Sequence, residues 1–250
     1  MTAALRTDGL TKNFGAIVAN SNVSVTIEPG ARHALIGPNG AGKTTFINLL
    51  TGYYQPTSGE IYLGRQRVTA LPQHARVKIG MTRTFQITCL FAGLTVLESV
   101  VMAVCERTGR GGTWWPATAA EKSAIDEARE ILASLRLENS AETVTRNLAY
   151  GKQRLLEVAL ALATRPKLLL LDEPAAGIPS TESGELFEVI ARLPRDVTVL
   201  FIEHDMDLVF RFAEKITVLV GGSVFLEGTP EKISADRGVR EVYLGEALDA

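Results

Sequence analysis

The sequence predicts an α/β protein in which short apolar strands alternate with helices around a mainly parallel sheet. Residues 168–171 and 197–202 are short, almost wholly apolar runs, which is typical of strands buried on both faces. Closely spaced turns and short strand-like runs over the first eighty residues indicate an antiparallel β edge beside that sheet. We therefore expect one domain of 250 residues, whose core with its β subdomain covers 1–87 and 156–250 and whose helical subdomain covers 88–155.

The β edge is predicted from four runs in the first part of the chain. A strand begins near Leu5 and leads to Phe14-Gly15, and polar and apolar residues alternate over 22–27. Residues 60–63 and 66–68 flank the turn Gly64-Arg65 and predict two short antiparallel strands. Near the other end of the chain, 215–226 predicts a hairpin around a Gly-Gly turn, and 229–248 predicts short helices.

A glycine-rich segment follows the strand that ends at 34–36 and precedes a helix that stops at Gly52. It fits the pattern G-x-x-x-x-G-K-[ST] of nucleotide-phosphate loops and consists of Gly37, Pro38, Asn39, Gly40, Ala41, Gly42, Lys43, Thr44 and Thr45. Its glycines let consecutive backbone N–H groups point at an anion, and the helix N-terminus adds partial positive charge. We expect Lys43 to contact the β- and γ-phosphates of a nucleotide and Thr44 to ligate Mg²⁺. The alternative is a glycine-rich surface turn before an ordinary helix.

Acidic and polar residues follow the other predicted core strands. Asp172 and Glu173 come directly after the strand at 168–171, at the sheet edge where open α/β sheets bind ligands. We expect Asp172 to hold Mg²⁺ and Glu173 to accept a proton from the hydrolytic water. His204 follows the next strand, and we interpret it as a sensor of the γ-phosphate. Gln86 follows a short strand, and it is suited to contact Mg²⁺ or the attacking water.

The middle of the chain has helical periodicity. Thr95 and Glu98 form a capping box, and apolar residues over 117–137 recur at helical spacing. The loop between these helices carries Trp114-Trp115, which either forms a partner surface or packs back on the helices. Residues 148–153 lead into another helix, and the glycine turn expected at its start is a second possible anion site.

Composition limits the partners and the compartment. The net charge is −2 and no long basic run occurs, so we expect no nucleic-acid partner. The two cysteines lack metal-ligand spacing, which suits reduced thiols in a cytoplasmic protein. The first residues do not read as a secretory signal, and the apolar runs are too short to span a bilayer, so any membrane role is expected to be peripheral.

The phosphate loop, Gln86, 148–153, Asp172-Glu173 and His204, in that order, resemble the ATPase subunit of ABC transporters along the whole chain. Several local runs resemble the branched-chain amino acid transport ATPases: Arg83-Thr84-Phe85-Gln86, Tyr150-Gly151, Glu173-Pro174-Ala175-Ala176-Gly177, Ile202-Glu203-His204-Asp205-Met206 and Tyr243-Leu244-Gly245-Glu246. These runs do not separate substrates within that subfamily, which include amides, urea and aromatic acids as well as leucine, isoleucine and valine.

The resemblance implies a P-loop ABC ATPase with a RecA-like core, an antiparallel β subdomain and an inserted helical subdomain. It implies that Phe14 stacks on adenine, although an aromatic residue beside glycine is more often simple packing. The implied catalytic residues are Lys43, Gln86, Glu173 and His204, and the implied Mg²⁺ ligands are Thr44, Gln86 and Asp172. The implied signature, which closes on the nucleotide of the opposite protomer, is Ala149, Tyr150, Gly151, Lys152 and Gln153.

The implied partners are a second ATPase subunit, identical or related and placed head to tail, and transmembrane permease subunits. A solute-binding protein acts indirectly, and the ATPase lies on the inner face of the cell membrane. Three departures stand out: Ala149 replaces the usual signature serine, 178–181 replaces a Leu-Asn-Pro pattern, and Phe14 replaces tyrosine. Two alternatives remain, namely a soluble ABC ATPase that acts on nucleic acid or the ribosome, and a regulatory subunit that binds ATP without turnover.

Overall fold

A computed structural model describes residues 2–84, 90–109 and 119–248. The chain divides into two compact units. The first unit contains 1–83, 167–174 and 194–250, and the second contains 84–166 and 175–193. The sequence-based boundary at 155/156 falls inside a helix of the second unit, because that helix packs along its length on other helices of the same unit.

The strands of the described residues all belong to the first unit. In chain order they are β1 (Leu5–Phe14), β2 (Ile17–Val23), β3 (Thr26–Ile27), β4 (Arg32–Ile36), β5 (Ser58–Leu63), β6 (Gln66–Arg67), β7 (Met81–Arg83), β8 (Leu168–Asp172), β9 (Thr198–Ile202), β10 (Lys215–Val220) and β11 (Ser223–Gly228). The helices are α1 (Lys43–Thr51), α2 (Gln73–Lys78), α3 (Val96–Arg107), α4 (Ala119–Ser134), α5 (Tyr150–Leu162), α6 (Ser180–Ala191), α7 (Met206–Phe212), α8 (Pro230–Ala235) and α9 (Arg237–Leu248). None of the described helices is long and apolar enough to cross a membrane.

The β edge is an antiparallel sheet with the order β2-β1-β5-β6, and β3 also pairs with β1. The single strand predicted over 22–27 is wrong, because the chain leaves the ladder between β2 and β3. Thr7 Oγ1 on β1 donates to the Val23 carbonyl and accepts from the Val25 N–H, both at 3.0 Å. The side chain thus adds two bonds beside the backbone bond from the Thr7 N–H to the Val25 carbonyl at 2.9 Å.

The second sheet has the order β11-β10-β4-β9-β8-β7 and is parallel except for the β10–β11 hairpin. Every residue of β4, β8 and β9 is buried, in line with the apolar runs that predicted them. These three strands are neighbours and run in the same direction. Their carboxyl ends therefore bring the segments that follow them to one edge of the sheet.

Helix α1 is fixed in the core of the first unit. Its Phe46, Ile47, Leu49 and Leu50 are fully buried, in one cluster with apolar side chains of both sheets. Each such side chain contributes roughly 1.5–3 kcal/mol on burial. The helix therefore gives the segment before it a rigid support.

The second unit is helical. Thr95 caps α3 through the predicted capping box with Glu98. The apolar spacing that predicted α4 corresponds to buried side chains, namely Ala124, Ala128 and Leu132. Helix α3 contacts α4 and α5, and α5 contacts α6, which the sequence analysis did not assign.

Candidate functional site

The glycine-rich segment joins β4 to α1 and needs glycine at both of its ends. Gly37 and Gly42 have φ of 155° and 94°. A Cβ would lie 2.2 Å from the Leu219 carbonyl oxygen at Gly37 and 2.3 Å from the Ala19 carbonyl oxygen at Gly42. Gly42 is the N-cap of α1, and no described side chain caps this helix start. The first turn therefore presents backbone N–H groups to the adjoining pocket.

Lys43 turns its side chain back over this loop. Its Nζ donates to the carbonyl oxygens of Gly37 at 2.5 Å and Pro38 at 3.0 Å, and the residue is 7% exposed. From β2, the fully buried Asn20 donates from Nδ2 to the Gly42 carbonyl at 3.3 Å. The sequence analysis missed Asn20, because nothing in its local pattern links it to a loop that is 22 residues away.

A pocket of about 300 Å³ adjoins the loop and brings together several of the predicted site residues. It is lined by Asn39 to Thr45, Glu173 and His204, together with Ile17, Val18 and Ala19 of β2. Ile17 and Val18 are exposed apolar residues that the sequence analysis did not select. A volume with anion-binding N–H groups, a carboxylate and an imidazole on its walls suits a phosphorylated ligand.

Glu173 has a strained backbone and a specific partner. Its φ is 51°, a left-handed conformation that is uncommon outside glycine and that clusters at functional sites. Its N–H donates to the Ile202 carbonyl at 3.0 Å, and its Oε1 lies 2.9 Å from His204 Nε2. Because an ionised carboxylate only accepts, the imidazole nitrogen is the donor. The pair thus holds a carboxylate at the pocket wall.

Asp172 is nearly inaccessible, with a side chain 1% exposed. Arg83 Nη2 pairs with its Oδ2, while its buried Oδ1 has no hydrogen-bond partner among the described residues. A buried carboxylate oxygen without a donor fits a cation such as Mg²⁺, which takes one or two carboxylates together with phosphate oxygens. Thr44 lines the pocket, whereas Gln86, the third predicted Mg²⁺ ligand, lies outside the described residues, as do Trp114 and Trp115.

Phe14 does not line this pocket. Its ring packs edge to face on Tyr54 at 5.1 Å, and the Lys12 ammonium lies 5.1 Å from its centroid. The residue is nonetheless 42% exposed, so its ring is packed and accessible at once. Stacking on adenine stays a prediction.

The predicted signature lies in the second unit at the start of α5. Ala149 is the N-cap and provides no side-chain cap. The expected glycine turn is wrong, since Gly151 lies within the first helical turn, where a Cβ would be 3.1 Å from Glu182 Oε2 of α6. Lys152 Nζ donates to Ser140 Oγ at 2.9 Å, and Gln153 Nε2 donates to the Leu148 carbonyl at 2.9 Å.

Tyr150 ties the signature to the turn that precedes α6. Its hydroxyl donates to the Ala176 carbonyl at 3.2 Å and accepts from Arg154 Nη2 at 2.6 Å. The Arg154 guanidinium also lies 5.1 Å from the Tyr150 ring centroid. The spacing of these two residues, four apart on one helix face, is the signal that could have identified Arg154.

Comparisons with known proteins identify the family of the chain. The ABC transporter family profile matches residues 20–176, and the profile named branched-chain amino acid ATP-binding cassette transporter matches 224–249. The high-affinity branched-chain amino acid transport ATP-binding protein LivG of Escherichia coli K12 is 42% identical, over 97% of this chain and 98% of that protein.

Two solved structures extend the likeness to the fold. The ADP conformation of MJ1267, an ATP-binding cassette of an ABC transporter, matches with a TM-score of 0.86 and 28% identity over 98% of this chain and all of that one. The dimeric structure of MJ0796, a bacterial ABC transporter cassette, matches with a TM-score of 0.74 and 27% identity over 90% and 98%. The predicted fold class and the resemblance are thereby confirmed. On its profile, its relatives and its fold, this chain belongs to the ABC transporter family of ATP-binding cassette proteins.

Proposed function

We propose that this ATPase energises the import of branched-chain amino acids across a membrane and that its chemistry takes place in the pocket beside α1. The observation that carries the proposal is the meeting of the phosphate loop, Glu173 and His204 on the walls of one pocket. Phosphoryl transfer needs positioned phosphates, a site for the attacking water and stabilisation of developing charge, and these residues supply all three.

The loop would hold the β- and γ-phosphates of ATP through backbone N–H groups of 37–45, to which Pro38 contributes none. Lys43 already lies over this loop, bonded to two of its carbonyls, and it would exchange these bonds for phosphate oxygens. The adenine would lie beside the exposed Phe14 or the apolar Ile17 and Val18. The positive helix end and the ammonium together oppose the negative charge of the phosphates.

Glu173 is proposed as the general base. It would accept a proton from the attacking water while the water oxygen bonds to the γ-phosphorus and ADP leaves. His204, whose Nε2 lies 2.9 Å from Glu173 Oε1, would orient that carboxylate and contact the γ-phosphate. The left-handed backbone of Glu173 supports this assignment, because such strain persists where surrounding contacts fix a side chain for a task.

Mg²⁺, when bound, would supply positive charge against the negative charge of the phosphates. The residues proposed to hold it are Thr44, Asp172 and Gln86. The buried Asp172 Oδ1, which lacks a donor among the described residues, supports this choice. Thr44 supports it through its place on the pocket wall directly after Lys43.

A second ATPase subunit would complete each site. The dimeric structure of the related cassette MJ0796 supports a pair of cassettes. In a head-to-tail pair, Ala149 to Gln153 would face the nucleotide of the partner. Ala149 removes one hydroxyl from that contact, a loss of roughly 0.5–1.5 kcal/mol, or up to ~3 kcal/mol toward a charged group. The backbone N–H groups at the start of α5 remain available, so we expect weaker closure and an active site.

The pair would move transmembrane permease subunits at the inner face of the cell membrane, with a solute-binding protein delivering the cargo. The match over 224–249 and the 42% identity to LivG support branched-chain amino acids as that cargo. ATP can drive the cycle only through its different affinities for the closed and open pair.

The test is Glu173→Gln, which keeps size and removes the base. We expect ATP binding to persist and turnover to fall about 10²–10⁴-fold. Cells that carry this variant should lose uptake of labelled leucine, isoleucine and valine. Glu28→Gln, at an exposed carboxylate far from Glu173 in the sequence, is the matched control. It should leave ATP binding, turnover and uptake unchanged.

Unchanged turnover in Glu173→Gln would remove Glu173 from the role of base. If the variant lost uptake of urea, amides or aromatic acids and not of the branched-chain amino acids, the ATPase role would stand and the transported substrate would be a different one. ATP binding without turnover in the unaltered protein and its partner subunits would favour the regulatory-subunit alternative.

A further inference from the structure

Arg83 connects two parts of the candidate site that are far apart in the sequence, namely the end of β8 and helix α1. It ends β7, and its side chain is 19% exposed. Nη2 pairs with Asp172 Oδ2 at the end of β8, and Nη1 donates to Asn48 Oδ1 on α1 at 2.7 Å. One planar guanidinium thus bridges the carboxylate proposed to hold Mg²⁺ and the helix that carries the phosphate loop.

The burial of Asp172 makes this pair necessary. A carboxylate with a 1% exposed side chain is expensive to keep ionised unless an opposite charge or strong donors face it. Arg83 is the cation that faces it, and it engages only Oδ2. The other oxygen, Oδ1, keeps its lone pairs without a protein donor among the described residues.

The fork geometry also fixes orientation. Two terminal nitrogens bound to two different elements hold the guanidinium plane, and the plane in turn holds the Asp172 carboxylate at one rotation. A lysine would bring a single ammonium on a flexible stem and could not reproduce the same bridge. Groups that orient a metal ligand commonly change metal affinity about 10–100-fold when they are removed.

We propose that Arg83 is a positioning residue for the divalent cation: it neutralises and orients Asp172 through Oδ2, so that Oδ1 is presented to Mg²⁺. The Arg83–Asn48 contact sets the distance between that carboxylate and α1. This inference rests on the proposed function, because it assigns to Asp172 the role of a Mg²⁺ ligand.

The experiment compares nucleotide binding with and without a divalent cation in Arg83→Gln. Binding of a fluorescent, non-hydrolysable ATP analogue is measured in EDTA and over a Mg²⁺ titration, and Mn²⁺ bound with the analogue is counted by electron paramagnetic resonance. We expect the divalent cation to bind about 10-fold or more weakly, with affinity for the metal-free analogue changed less than about twofold. A merely structural role would weaken both alike.

Two further variants and one control complete the design. Arg83→Lys keeps a cation beside Asp172 and decides the question if Arg83→Gln does not fold; we expect divalent affinity to fall several-fold, less than in Arg83→Gln. Asn48→Ala should give a smaller loss of the same kind. Arg67→Gln removes an exposed arginine–carboxylate pair with Glu60 and should leave divalent binding unchanged.

Unchanged divalent binding in folded Arg83→Gln or Arg83→Lys would overturn the inference, and so would an equal loss of affinity with and without metal. These outcomes leave the proposed ATPase function intact. If the unaltered protein bound the analogue equally well in EDTA and in Mg²⁺, the metal assignment of the proposed function would fail and the role of Arg83 would fail with it.

Discussion

The two ends of α1 differ in how their unpaired backbone groups are satisfied. At the N-terminal end, Gly42 caps the helix without a side chain, and the first turn faces a pocket of about 300 Å³. At the C-terminal end, the carbonyl oxygens of Leu49 and Leu50 accept from Nη1 of Arg76 at 2.7 and 2.6 Å. Arg76 is completely buried.

Arg76 satisfies more than the helix. Its Nε donates to the Leu71 carbonyl at 2.9 Å, and its Nη2 donates to the Thr69 carbonyl at 2.7 Å. Burial lowers the pKa of Arg76 to about 10, so the guanidinium stays charged at neutral pH. A positive charge also suits the negative end of the helix dipole.

Every helix leaves backbone groups unsatisfied at both of its ends. In α1 the protein satisfies one set itself and leaves the other set facing a pocket. Changes at the Arg76 end should therefore alter the stability of the fold, and changes at the Lys43 end should alter ligand binding. Three substitutions, at Arg76, Lys43 and Ala149, distinguish these two roles.

Arg76→Met should give the largest loss of stability. It removes the donor to four carbonyl oxygens, of which only that of Leu49 also accepts from the Gly52 N–H, and each buried group left unsatisfied costs about 1–3 kcal/mol. We expect the free energy of unfolding to fall by about 3 kcal/mol or more, as measured by urea denaturation. Lys78→Met, at an exposed position on the same short helix, should change the free energy of unfolding by no more than about 0.5 kcal/mol. A loss no larger than that of Lys78→Met would mean that solvent or repacking replaces the guanidinium.

Lys43→Ala should separate binding from stability. Without nucleotide we expect the free energy of unfolding to change by only about 1 kcal/mol, the net value of a hydrogen bond or two. The stabilisation by ATP, about 2.7 kcal/mol at a ligand concentration 100 times Kd, should disappear. Thermal unfolding with and without ATP measures both terms, and Lys78→Ala is the control. An unchanged ATP-induced shift would contradict the assignment of the phosphate site.

Ala149→Ser should give the smallest effect of the three, and it tests how a missing cap affects the start of α5. Thr95 caps α3 with its side chain, whereas Ala149 leaves α5 uncapped. A serine N-cap should stabilise the protein by about 1 kcal/mol, within a range of about 0.5–2 kcal/mol. Thermal unfolding checks this, and Ala133→Ser inside α4 should instead destabilise by a few tenths of a kcal/mol. Faster ATP turnover in Ala149→Ser would support the proposed signature, whereas added stability without faster turnover would limit its role to capping.

Local patterns were sufficient for the parts of the fold that local forces determine. The all-apolar run 168–171 identified a buried strand, and Thr95 with Glu98 identified a helix start. The phosphate loop was predictable because its backbone conformation requires glycine, and the spacing of those glycines is visible in the sequence. Asp172, Glu173 and His204 were expected at one sheet edge because each follows a predicted parallel strand.

The contacts that complete the site were not predictable in this way. Arg76 lies in a short polar run that carries no helical periodicity, and its partners on α1 are 26 and 27 residues earlier. Arg83 was visible as part of a motif, but its bridge to Asn48 and Asp172 depends on three separate elements meeting. Asn20 supports the loop from another strand for the same reason. Such pairings arise from the tertiary fold.

The buried guanidinium of Arg76 also has a consequence for recombination between related proteins. A crossover placed between α1 and α2 would take position 76 from one protein and α1, with the Leu49 and Leu50 carbonyls that accept from Arg76 here, from another. A hybrid that kept α1 but received another residue at position 76 would lose the guanidinium that donates to these carbonyls, and Leu49 would keep only the Gly52 N–H as a donor. The stretch from Lys43 to Lys78 is therefore a single exchangeable block, and chimeras that respect its limits should be the ones that fold.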